Sequence, residues 1–405
     1  KSVLLRNFLK MNQLNDQNFQ NQRAIIRVDF NVPLNEKLEV TDATRIVAAK
    51  PTIDYVLQQG GSCVLLSHLG RPKHQEPEFS LKNIVATVSE ILGCEVLFSE
   101  HCVGPEAEAL AQALQPGQVL LMENLRYHPE ETKGDVDFAQ QLAALGSIYI
   151  NDAFGTAHRA HASTTIIAQF FEGKKYFGQL LKKEVDAIEK VMKNGASPVL
   201  AILGGAKISS KITIIESLLD KIDHLLIGGG MVYTFIKAQG GSIGNSICED
   251  EYGDYALELM EKAAAKGVQL HLPEDVVAGD DFSDGANRKI FPVNAIEAGW
   301  EGMDAGPKSV LRFKELITTC RTILWNGPLG VFEFPSFAKG TIAVGEAIGE
   351  ATQAGAFSLV GGGDSVAAVK QFGLETQMSY ISTGGGAMLE SLEGKILPGI
   401  AALDQ

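Results

Sequence analysis

Short runs of apolar and β-branched residues alternate with segments of helical periodicity along most of the chain. In the first half, these runs predict strands at residues 24–28, 62–66, 95–98, 118–122 and 148–150. Apolar residues at helical spacing predict helices at 42–58 and 81–92, the second with Ser80 as its N-cap. The first half is therefore a repeated β-α unit.

The second half repeats this alternation, with strands predicted at residues 199–203, 225–227, 268–272, 322–325, 357–360 and 378–381. Continuous apolar strands separated by helices are typical of mostly parallel sheets covered on both faces. We therefore expect an α/β fold of two doubly wound, Rossmann-like, parallel-sheet domains that face a central cleft. An amphipathic helix at 180–194, ended by a turn at 194–198, is expected to join them, with the boundary near Leu181.

Size and charge narrow the possible functions. A chain of 405 residues exceeds what one hydrophobic core usually organises, and its net charge of -14 repels polyanions such as nucleic acids. The five cysteines form no C-x-x-C pair, which favours reduced thiols packed as small core residues. No apolar stretch is long enough to cross a membrane, and the N-terminal residues lack the apolar segment of a leader. We therefore expect a cytoplasmic protein without membrane or nucleic-acid partners.

Charged side chains follow the predicted strands of the first half, and in open α/β sheets ligands bind in the loops beyond the carboxyl ends of the strands. These loops and the next helix start carry Asp29, Asn31, Arg45, His68, Arg71, Arg126, Asn151, Asp152, His158 and Arg159. Any one arginine could be an ordinary surface residue, but four at one sheet edge need anions to balance them, which predicts a small, multiply anionic substrate. His158 and His161 lack the further ligands of a transition-metal site.

Glycine clusters follow the predicted strands of the second half, at residues 204–205, 228–230, 327 with 330, 361–363 and 384–386. Tight turns alone would explain one or two of them. Five on one sheet edge indicate that a ligand approaches bare backbone, where N–H groups can bind phosphate oxygens. This edge is predicted to bind a nucleotide. The G-x-G-x-x-G and G-x-x-x-x-G-K-[ST] fingerprints are both absent, which argues against a Rossmann dehydrogenase and a P-loop kinase.

Four charged residues at this second edge allow two interpretations each. Lys207 and Lys211, near the start of a predicted helix, oppose the positive end of its dipole, so they either form a solvated face or bind an anion. Asp364 opens a helix, either as its N-cap or as a ligand to phosphate-bound Mg²⁺. Glu333 either accepts hydrogen bonds from ribose hydroxyls or faces solvent.

Eight segments, in this order, resemble the signatures of the phosphoglycerate kinase family. They are RVDFNVP from Arg27, SHLGRP from Ser67, ENLRYHPEE from Glu123, NDAFGTAHRAHAS from Asn151, LGGAKISSK from Leu203, WNGPLGVFE from Trp325, GGGDS from Gly361 and STGGGA from Ser382. The resemblance runs from near residue 20 to the C-terminus. It departs from the family pattern at Tyr127, at Glu274 and at Val232 with Tyr233, and the last two departures leave local details of the nucleotide side open.

The resemblance implies a glycolytic enzyme that transfers a phosphoryl group reversibly between 1,3-bisphosphoglycerate and MgADP, giving 3-phosphoglycerate and MgATP. It implies a substrate domain at 1–181, a nucleotide domain at 182–389 and a tail at 390–405 that packs back on the first domain, in a monomer. The substrate residues that it implies are Asp29, Phe30, Asn31, Arg45, His68, Leu69, Gly70, Arg71, Arg126 and Arg159. The nucleotide residues that it implies are Gly204, Gly205, Lys211, Gly228, Gly229, Asn326, Glu333, Gly362, Gly363, Asp364 and Ser365, with Mg²⁺ on Asp364.

The chemistry of this reaction needs no general base, because the acceptor is a carboxylate with a pKa of about 4 and is ionised at neutral pH. It needs in-line positioning and compensation of charge on the transferring group, and it needs hinge closure to bring the ligands together. We assign the positioning and the charge compensation to Arg45, Lys207, Lys211 and the backbone N–H groups of Gly363 and Gly386. Two rivals are a different two-domain α/β enzyme, such as a dehydrogenase, and a non-catalytic protein that closes on an anion.

Overall fold

A computed structural model describes Leu14 and residues 17–404 of the chain. Its contacts divide the chain into two compact units. The first runs to Val185 and also includes the segment from Ile396, and the second is Asp186–Lys395. The predicted domain boundaries, at 181/182 and 389/390, lie a few residues from these divisions.

The first unit is built on a six-stranded parallel sheet with the strand order β3-β4-β2-β1-β5-β6. Its strands are β1 Arg23–Arg27, β2 Ser62–Leu66, β3 Val96–Ser99, β4 Val119–Met122, β5 Ile148–Asn151 and β6 Lys175–Phe177. The side chains of β2, β4 and β5 are buried throughout, as expected of strands covered on both faces. All five strands predicted here are confirmed, whereas β6, which begins with a lysine and contains no β-branched residue, was not predicted.

The helices of this part of the chain are α1 Thr44–Gln58, α2 Val85–Leu92, α3 Pro105–Ala113, α4 Pro129–Lys133, α5 Val136–Ala143 and α6 Gln179–Met192. Ser80 caps as predicted, since its hydroxyl accepts a hydrogen bond from the N–H of Lys82, but the first turn, Leu81–Ile84, is a 3₁₀ helix. The helix α6 crosses the division between the two units. Its start is fixed to the first unit, where Asp152 Oδ1 accepts hydrogen bonds from the N–H groups of Leu180 and Leu181.

The second unit has its own six-stranded parallel sheet, with the order β10-β8-β7-β15-β16-β17. Its strands are β7 Val199–Leu203, β8 His224–Ile227, β10 Gln269–His271, β15 Thr322–Asn326, β16 Phe357–Val360 and β17 Tyr380–Ile381. Trp325 is fully buried in the core beside this sheet. The predicted α/β class with two parallel sheets is therefore confirmed.

The second unit also contains two small sheets that the hydrophobic pattern did not predict. One is antiparallel with the order β12-β11-β14, and the other is a parallel pair of β13 with β9. Their strands are β9 Ser242–Ile243, β11 Asp275–Gly279, β12 Arg288–Pro292, β13 Ala295–Ile296 and β14 Glu301–Ala305. Four of the five residues of β12 are exposed, so this strand carries no apolar run that a sequence pattern could detect.

The remaining helices are α7 Ile212–Leu218, α8 Val232–Ala238, α9 Gly253–Ala265, α10 Pro307–Thr319, α11 Lys339–Gln353, α12 Gly363–Gln371, α13 Gly385–Leu392 and α14 Pro398–Ala401. No helix among the described residues is both long and apolar enough to cross a membrane. All five cysteines are free thiols. The prediction that all five pack in the core is wrong for Cys94 and Cys248, which are only partly buried.

Candidate functional site

A cavity of about 230 Å³ lies in the first unit at the carboxyl edge of its sheet. It forms there because β1, β2, β4 and β5 are neighbours in a parallel sheet, so the loops that follow them meet at one edge. We call it the arginine cavity, and it is lined by Asp29, Asn31, Arg45, His68, Gly70, Arg71, Arg126, Gly155, Thr156, His158 and Arg159. The structure thus brings together the four arginines that the sequence placed at this edge.

Hydrogen bonds hold the loops of the arginine cavity in place. Arg45 Nη1 donates to the carbonyl of Asn31 at 2.9 Å and lies 3.3 Å from Asp29 Oδ2. The N–H of Gly70 donates to Asn31 Oδ1 at 2.8 Å, and Arg126 Nη1 donates to the carbonyl of Gly70 at 2.6 Å. The guanidinium groups of Arg45 and Arg126 are therefore oriented by backbone carbonyls before any ligand binds.

The cavity has an excess of positive charge. Burial, reinforced by neighbouring guanidinium groups, lowers the pKa of Arg126 to about 10. Burial and the charges of Arg27, Arg126 and Arg45 also hold the pKa of His68 well below its usual value, so this imidazole is neutral at pH 7. One carboxylate, Asp29, faces four arginines here, and an anionic ligand would balance the remainder.

Two of the predicted substrate residues lie elsewhere. The side chains of Phe30 and Leu69 are buried in the hydrophobic core of the first unit and do not line the cavity. Conversely, Gly155 and Thr156 line the cavity although the sequence did not single them out, and His158, which the sequence placed at this edge, lines it too. The signal was present, because all three precede Arg159 in the same loop after β5.

A second cavity, of about 430 Å³, lies in the second unit. We call it the glycine cavity. Its wall combines bare backbone at Gly205, Gly229 and Gly330, apolar side chains, and two carboxylates that had been predicted, Glu333 and Asp364. The wall is completed by Ala206, Gly230, Tyr233, Ile247, Phe282, Glu301, Gly302, Met303, Pro328, Leu329, Val331 and Phe332. An apolar slot beside bare glycine backbone suits a base joined to phosphates.

Glycine is required where the loops of this edge cross one another. A Cβ atom on Gly204 would lie 2.0 Å from the carbonyl oxygen of Pro328, and one on Gly229 would lie 2.6 Å from that of Gly205. Gly204 also donates its N–H to the carbonyl of Asn326 at 3.0 Å. The loops after β7, β8 and β15 can therefore pack together only without side chains at these positions.

Lys211 is connected to these loops through Asn326. Its ammonium donates to Asn326 Oδ1, and Asn326 Nδ2 donates to the carbonyl of Gly361 at 2.6 Å. Burial lowers the pKa of Lys211, and the charge of Asp364 opposes that shift. The prediction that both lysines lie near a helix start is wrong for Lys207, because α7 begins only at Ile212, with Lys211 at its N-cap, and Lys207 is exposed in the loop before it.

The N-cap interpretation of Asp364 is wrong. The N-cap of α12 is Gly362, and Asp364 is the second residue of the helix, exposed in its first turn. Ser365 is buried and its hydroxyl accepts a hydrogen bond from the N–H of Gly327, which joins the loop after β15 to α12. The described residues contain no cluster of three or more His, Cys, Asp or Glu side chains that could hold a metal ion.

The other predicted residues of this edge do not line the glycine cavity. Gly363 and Gly386 are exposed in the first turns of α12 and α13. Asn326 is the last residue of β15, and Gly204, Gly228 and Gly362 lie in the loops that follow β7, β8 and β16. The structure therefore assembles the predicted glycine loops on one sheet edge but exposes only some of them to the cavity.

Comparisons with known proteins identify the family of the chain. A family model described as phosphoglycerate kinase matches residues 14–395. Phosphoglycerate kinase 3, cytosolic, from Arabidopsis thaliana is 52% identical over 392 residues, which cover 97% of this chain and 98% of that protein. Phosphoglycerate kinase 2, chloroplastic, from Arabidopsis thaliana is 51% identical over 392 residues, which cover 97% of this chain and 82% of that protein.

A solved structure supports the same assignment. The structure of phosphoglycerate kinase from Coxiella burnetii matches with a TM-score of 0.88 at 42% identity, and covers 96% of this chain and 98% of that chain. Sequence and fold thus agree over nearly the whole chain, and the chain belongs to the phosphoglycerate kinase family.

Proposed function

We propose that the chain catalyses reversible phosphoryl transfer between 1,3-bisphosphoglycerate and ADP, giving 3-phosphoglycerate and ATP, as a glycolytic phosphotransferase. The observation that carries this proposal is the arginine cavity, where Arg45, Arg71, Arg126 and Arg159 surround about 230 Å³. A three-carbon acid bearing a carboxylate and a phosphate would balance that charge. Membership of the phosphoglycerate kinase family supports this substrate over other small anions.

The acceptor in this reaction is the carboxylate of 3-phosphoglycerate, which is ionised at neutral pH and needs no general base. The low pKa of His68 is consistent with this, because a neutral, buried imidazole can donate a hydrogen bond without taking up a proton. The cavity therefore binds and orients the acceptor, and its contribution to the rate comes from positioning.

The transferring phosphoryl group carries negative charge that the chain must compensate. We propose that Lys211, held by Asn326, does this from the second unit and that Arg45 does so from the first. Burial lowers the pKa of Lys211 and so disfavours its charge in the free chain, whereas a bound anionic oxygen would favour that charge. Lys207 and the N–H groups of Gly363 and Gly386 are proposed to assist.

The glycine cavity is proposed to bind ADP or ATP. Tyr233, Phe282 and Met303 supply apolar surface for the base, while the backbone N–H groups of the glycine loops suit phosphate oxygens. Glu333 is exposed at the wall, where its carboxylate can accept hydrogen bonds from ribose hydroxyls.

Mg²⁺ is proposed to bind with the nucleotide. In proteins, Mg²⁺ uses one or two carboxylates together with substrate phosphates and water rather than a full protein cage. Asp364 fits this requirement, since it is an exposed carboxylate in the wall of the glycine cavity, in the first turn of α12. When bound, the ion would neutralise charge on the phosphate oxygens.

Phosphoryl transfer needs both ligands within reach of each other, and the two cavities belong to different units, so we propose that the units close on the bound ligands. We propose that α6 acts as the hinge, because it crosses the division between the units. Solution X-ray scattering should show a smaller radius of gyration with 3-phosphoglycerate and a nonhydrolysable MgATP analogue together than with either alone. Equal compactness in all four ligand states of an active, saturated enzyme would contradict the hinge.

We also propose a monomer in the cytoplasm. The acidic net charge and five free thiols suit a reducing compartment, and both cytosolic and chloroplastic proteins occur among the relatives. Sedimentation of the purified chain would test the first statement, and imaging of the tagged chain in its own cells would test the second.

The deciding experiment is an assay of the purified chain with 3-phosphoglycerate and MgATP, in which formation of 1,3-bisphosphoglycerate and ADP is followed. We expect ADP to appear only when 3-phosphoglycerate is present. Absence of turnover by the folded chain at saturating ligands would refute the proposal, and turnover of a nicotinamide cofactor would favour the dehydrogenase rival.

A further inference from the structure

Arg27, the last residue of β1, is a buried cation next to the arginine cavity. Its side chain is 1% exposed and does not line the cavity, but it reaches His68, which does. None of the roles proposed above uses Arg27. A buried guanidinium must place its donors on acceptors, so its contacts determine the proton positions of its neighbours.

The guanidinium of Arg27 has three acceptors. Its Nε donates to Ser163 Oγ at 2.8 Å, and its Nη1 donates to the carbonyl of Val28. Its Nη2 lies 3.3 Å from Nδ1 of His68. Because arginine nitrogens can only donate, Nδ1 of His68 must be the acceptor in this contact. A neutral His68 then carries its single proton on Nε2.

The other protonation states of His68 do not fit its surroundings. A proton on Nδ1 would point at the donor of Arg27, and the other nearby acceptor, Asp29 Oδ1, is 3.9 Å away, too far for a hydrogen bond. A doubly protonated ring would add a buried cation among Arg27, Arg45 and Arg126, and these charges together with burial already hold the pKa of His68 well below its usual value.

The Nε side of the Arg27 guanidinium is also held by a hydrogen-bond network. The hydroxyl of Ser163 donates to Glu131 Oε1 at 2.6 Å, and the N–H of Ser163 donates to Glu131 Oε2 at 3.0 Å. Glu131 is 1% exposed, so the network holds one buried carboxyl against one buried guanidinium. The hydroxyl of Ser163 therefore accepts from Arg27 and donates to Glu131, which holds the Nε side of the guanidinium in one position.

We infer that Arg27 is a positioning residue that fixes His68 as its neutral Nε2–H tautomer, so that His68 offers the anionic substrate a hydrogen-bond donor. The inference rests on the proposed function, since it assigns the donor to 3-phosphoglycerate. A neutral donor suits a cavity that already holds four arginines, because it binds an anionic oxygen without a further buried charge.

The tautomer can be measured on the unaltered chain by two-bond ¹H–¹⁵N correlation NMR of the imidazole rings. The chain has only eight histidines, and the signals of His68 are identified by their loss in His68→Gln. We expect the Nε2–H pattern at neutral pH without titration between about pH 6 and pH 8. An Nδ1–H pattern, or a ring that becomes protonated in that range, would overturn the inference.

Variants test whether the tautomer matters for binding. Arg27→Lys keeps a cation near Glu131 but cannot reach all three acceptors, so we expect exchange between His68 tautomers and a KM for 3-phosphoglycerate that is raised roughly tenfold. The matched control is Arg23→Lys on the same strand, where the Nε of Arg23 donates to the carbonyl of Leu145. That control should leave both the tautomer and the KM unchanged, and an equal rise in KM for both variants would overturn the positioning role.

Replacement of His68 itself gives a readout that does not depend on how Arg27→Lys folds. The amide nitrogen of glutamine lies close to the position of Nε2, whereas that of asparagine lies close to the position of Nδ1. We expect His68→Gln to keep a lower KM for 3-phosphoglycerate than His68→Asn, and the reverse order would contradict donation from Nε2.

Failure of this inference can be distinguished from failure of the proposed function. A chain that is inactive towards 3-phosphoglycerate but shows Nε2–H on His68 would refute the proposed function and, with it, the assigned ligand. An active chain that shows Nδ1–H would refute the role of Arg27 alone.

Discussion

The arginine cavity and the glycine cavity both lie at the carboxyl edge of a six-stranded parallel sheet, but they present different groups to an anion. The first is lined by four arginine side chains from four segments. The second presents backbone at loops whose packing excludes even a Cβ atom, as at Gly204. An anion site can therefore be made either from charged side chains or from backbone dipoles.

This difference has consequences for substitution. Loss of one arginine side chain removes a charge while the backbone stays as it is, so its effect should fall on ligand affinity. In the glycine cavity, the glycine backbone offers no side chain to remove, so only the charged groups near it can be tested by removing a charge. Substitution of Lys211 or Asp364 can show how much of the ligand binding comes from charged side chains and how much from the backbone.

The largest effect is expected for Lys211→Ala, which removes the one half-buried ammonium at the glycine loops. We predict that kcat falls at least about a hundredfold, the size typical of a lost electrostatic stabiliser. The fold should survive, because burial already lowers the pKa of Lys211 and the alanine removes a partly desolvated charge. Steady-state kinetics and Tm would measure both.

The control for this variant is Lys237→Ala, which removes an exposed lysine of the same unit that pairs with Asp250. Its kcat should remain unchanged. If Lys211→Ala kept normal turnover in a folded chain, charge compensation in the second unit would have to come from the backbone alone.

The next effect in size is expected for Arg71→Met, which removes an exposed guanidinium from the arginine cavity. We predict that the KM for 3-phosphoglycerate rises roughly ten- to a hundredfold, as expected for one lost charge-assisted hydrogen bond, while the KM for ATP and the Tm do not change. Arg288→Met, at an exposed arginine of β12, is the matched control. A change in the KM for ATP instead would show that the two cavities do not divide the ligands as proposed.

A smaller effect is expected for Asp364→Asn. Removal of the carboxylate should raise the Mg²⁺ concentration needed for half-maximal activity by at least several-fold. Since Gly362 is the N-cap of α12, the substitution loses only the favourable charge in the first turn, and the free energy of unfolding should change by less than about 1 kcal/mol. Normal Mg²⁺ dependence together with a large loss of stability would assign Asp364 a structural role.

The smallest effect concerns a feature that the two units share, a buried carboxyl whose pKa burial raises to about 7. In the first unit it is Asp152 at the start of α6, and in the second it is Asp304, whose Oδ2 accepts a hydrogen bond from the N–H of Gly340. Between about pH 4 and pH 7 the folded chain holds more protons on these groups than the unfolded chain does. Each group therefore lowers the stability as the pH rises through that window, with no further change above it.

This pH dependence predicts the behaviour of Asp304→Asn and Asp152→Asn. The Tm of each variant, taken relative to the unaltered chain, should rise by a few degrees between about pH 5 and pH 7.5, because asparagine does not ionise. Thermal unfolding at both pH values measures this. A difference in Tm that stays constant with pH would show that the carboxyl is ionised throughout.

Several features of this chain could be predicted because they are local. Short apolar runs predicted eleven of the twelve strands of the two parallel sheets, since strands covered on both faces are mostly apolar. The order of those strands along the chain placed four arginines and five glycine clusters at sheet edges, and the structure gathers the arginines around one cavity. These conclusions needed only the alternation of strands and helices.

Other features depended on contacts that local pattern does not record. Phe30 and Leu69 are neighbours in the chain of residues that line the arginine cavity, but their own side chains pack in the hydrophobic core. The start of α7 lies beyond Lys207, and the N-cap of α12 is Gly362 rather than Asp364. Helix ends differ from the sequence prediction in this way because capping and loop packing set them. The strand β12 has an almost fully exposed sequence and exists because β11 pairs with it.

The sequence by itself determined the α/β class, the family resemblance and the residue types at both sheet edges. These features could be predicted because the periodicity of apolar residues and the order of motifs can be seen along the chain without any knowledge of contacts. Only the tertiary structure showed that Arg27 meets His68, 41 residues away, and Ser163, 136 residues away. Hydrogen-bond partners at such separations are chosen by strand order and register, which decide what each buried donor can reach. The state of His68 follows from that choice, since a buried donor in fixed geometry leaves its neighbour one favourable place for a proton.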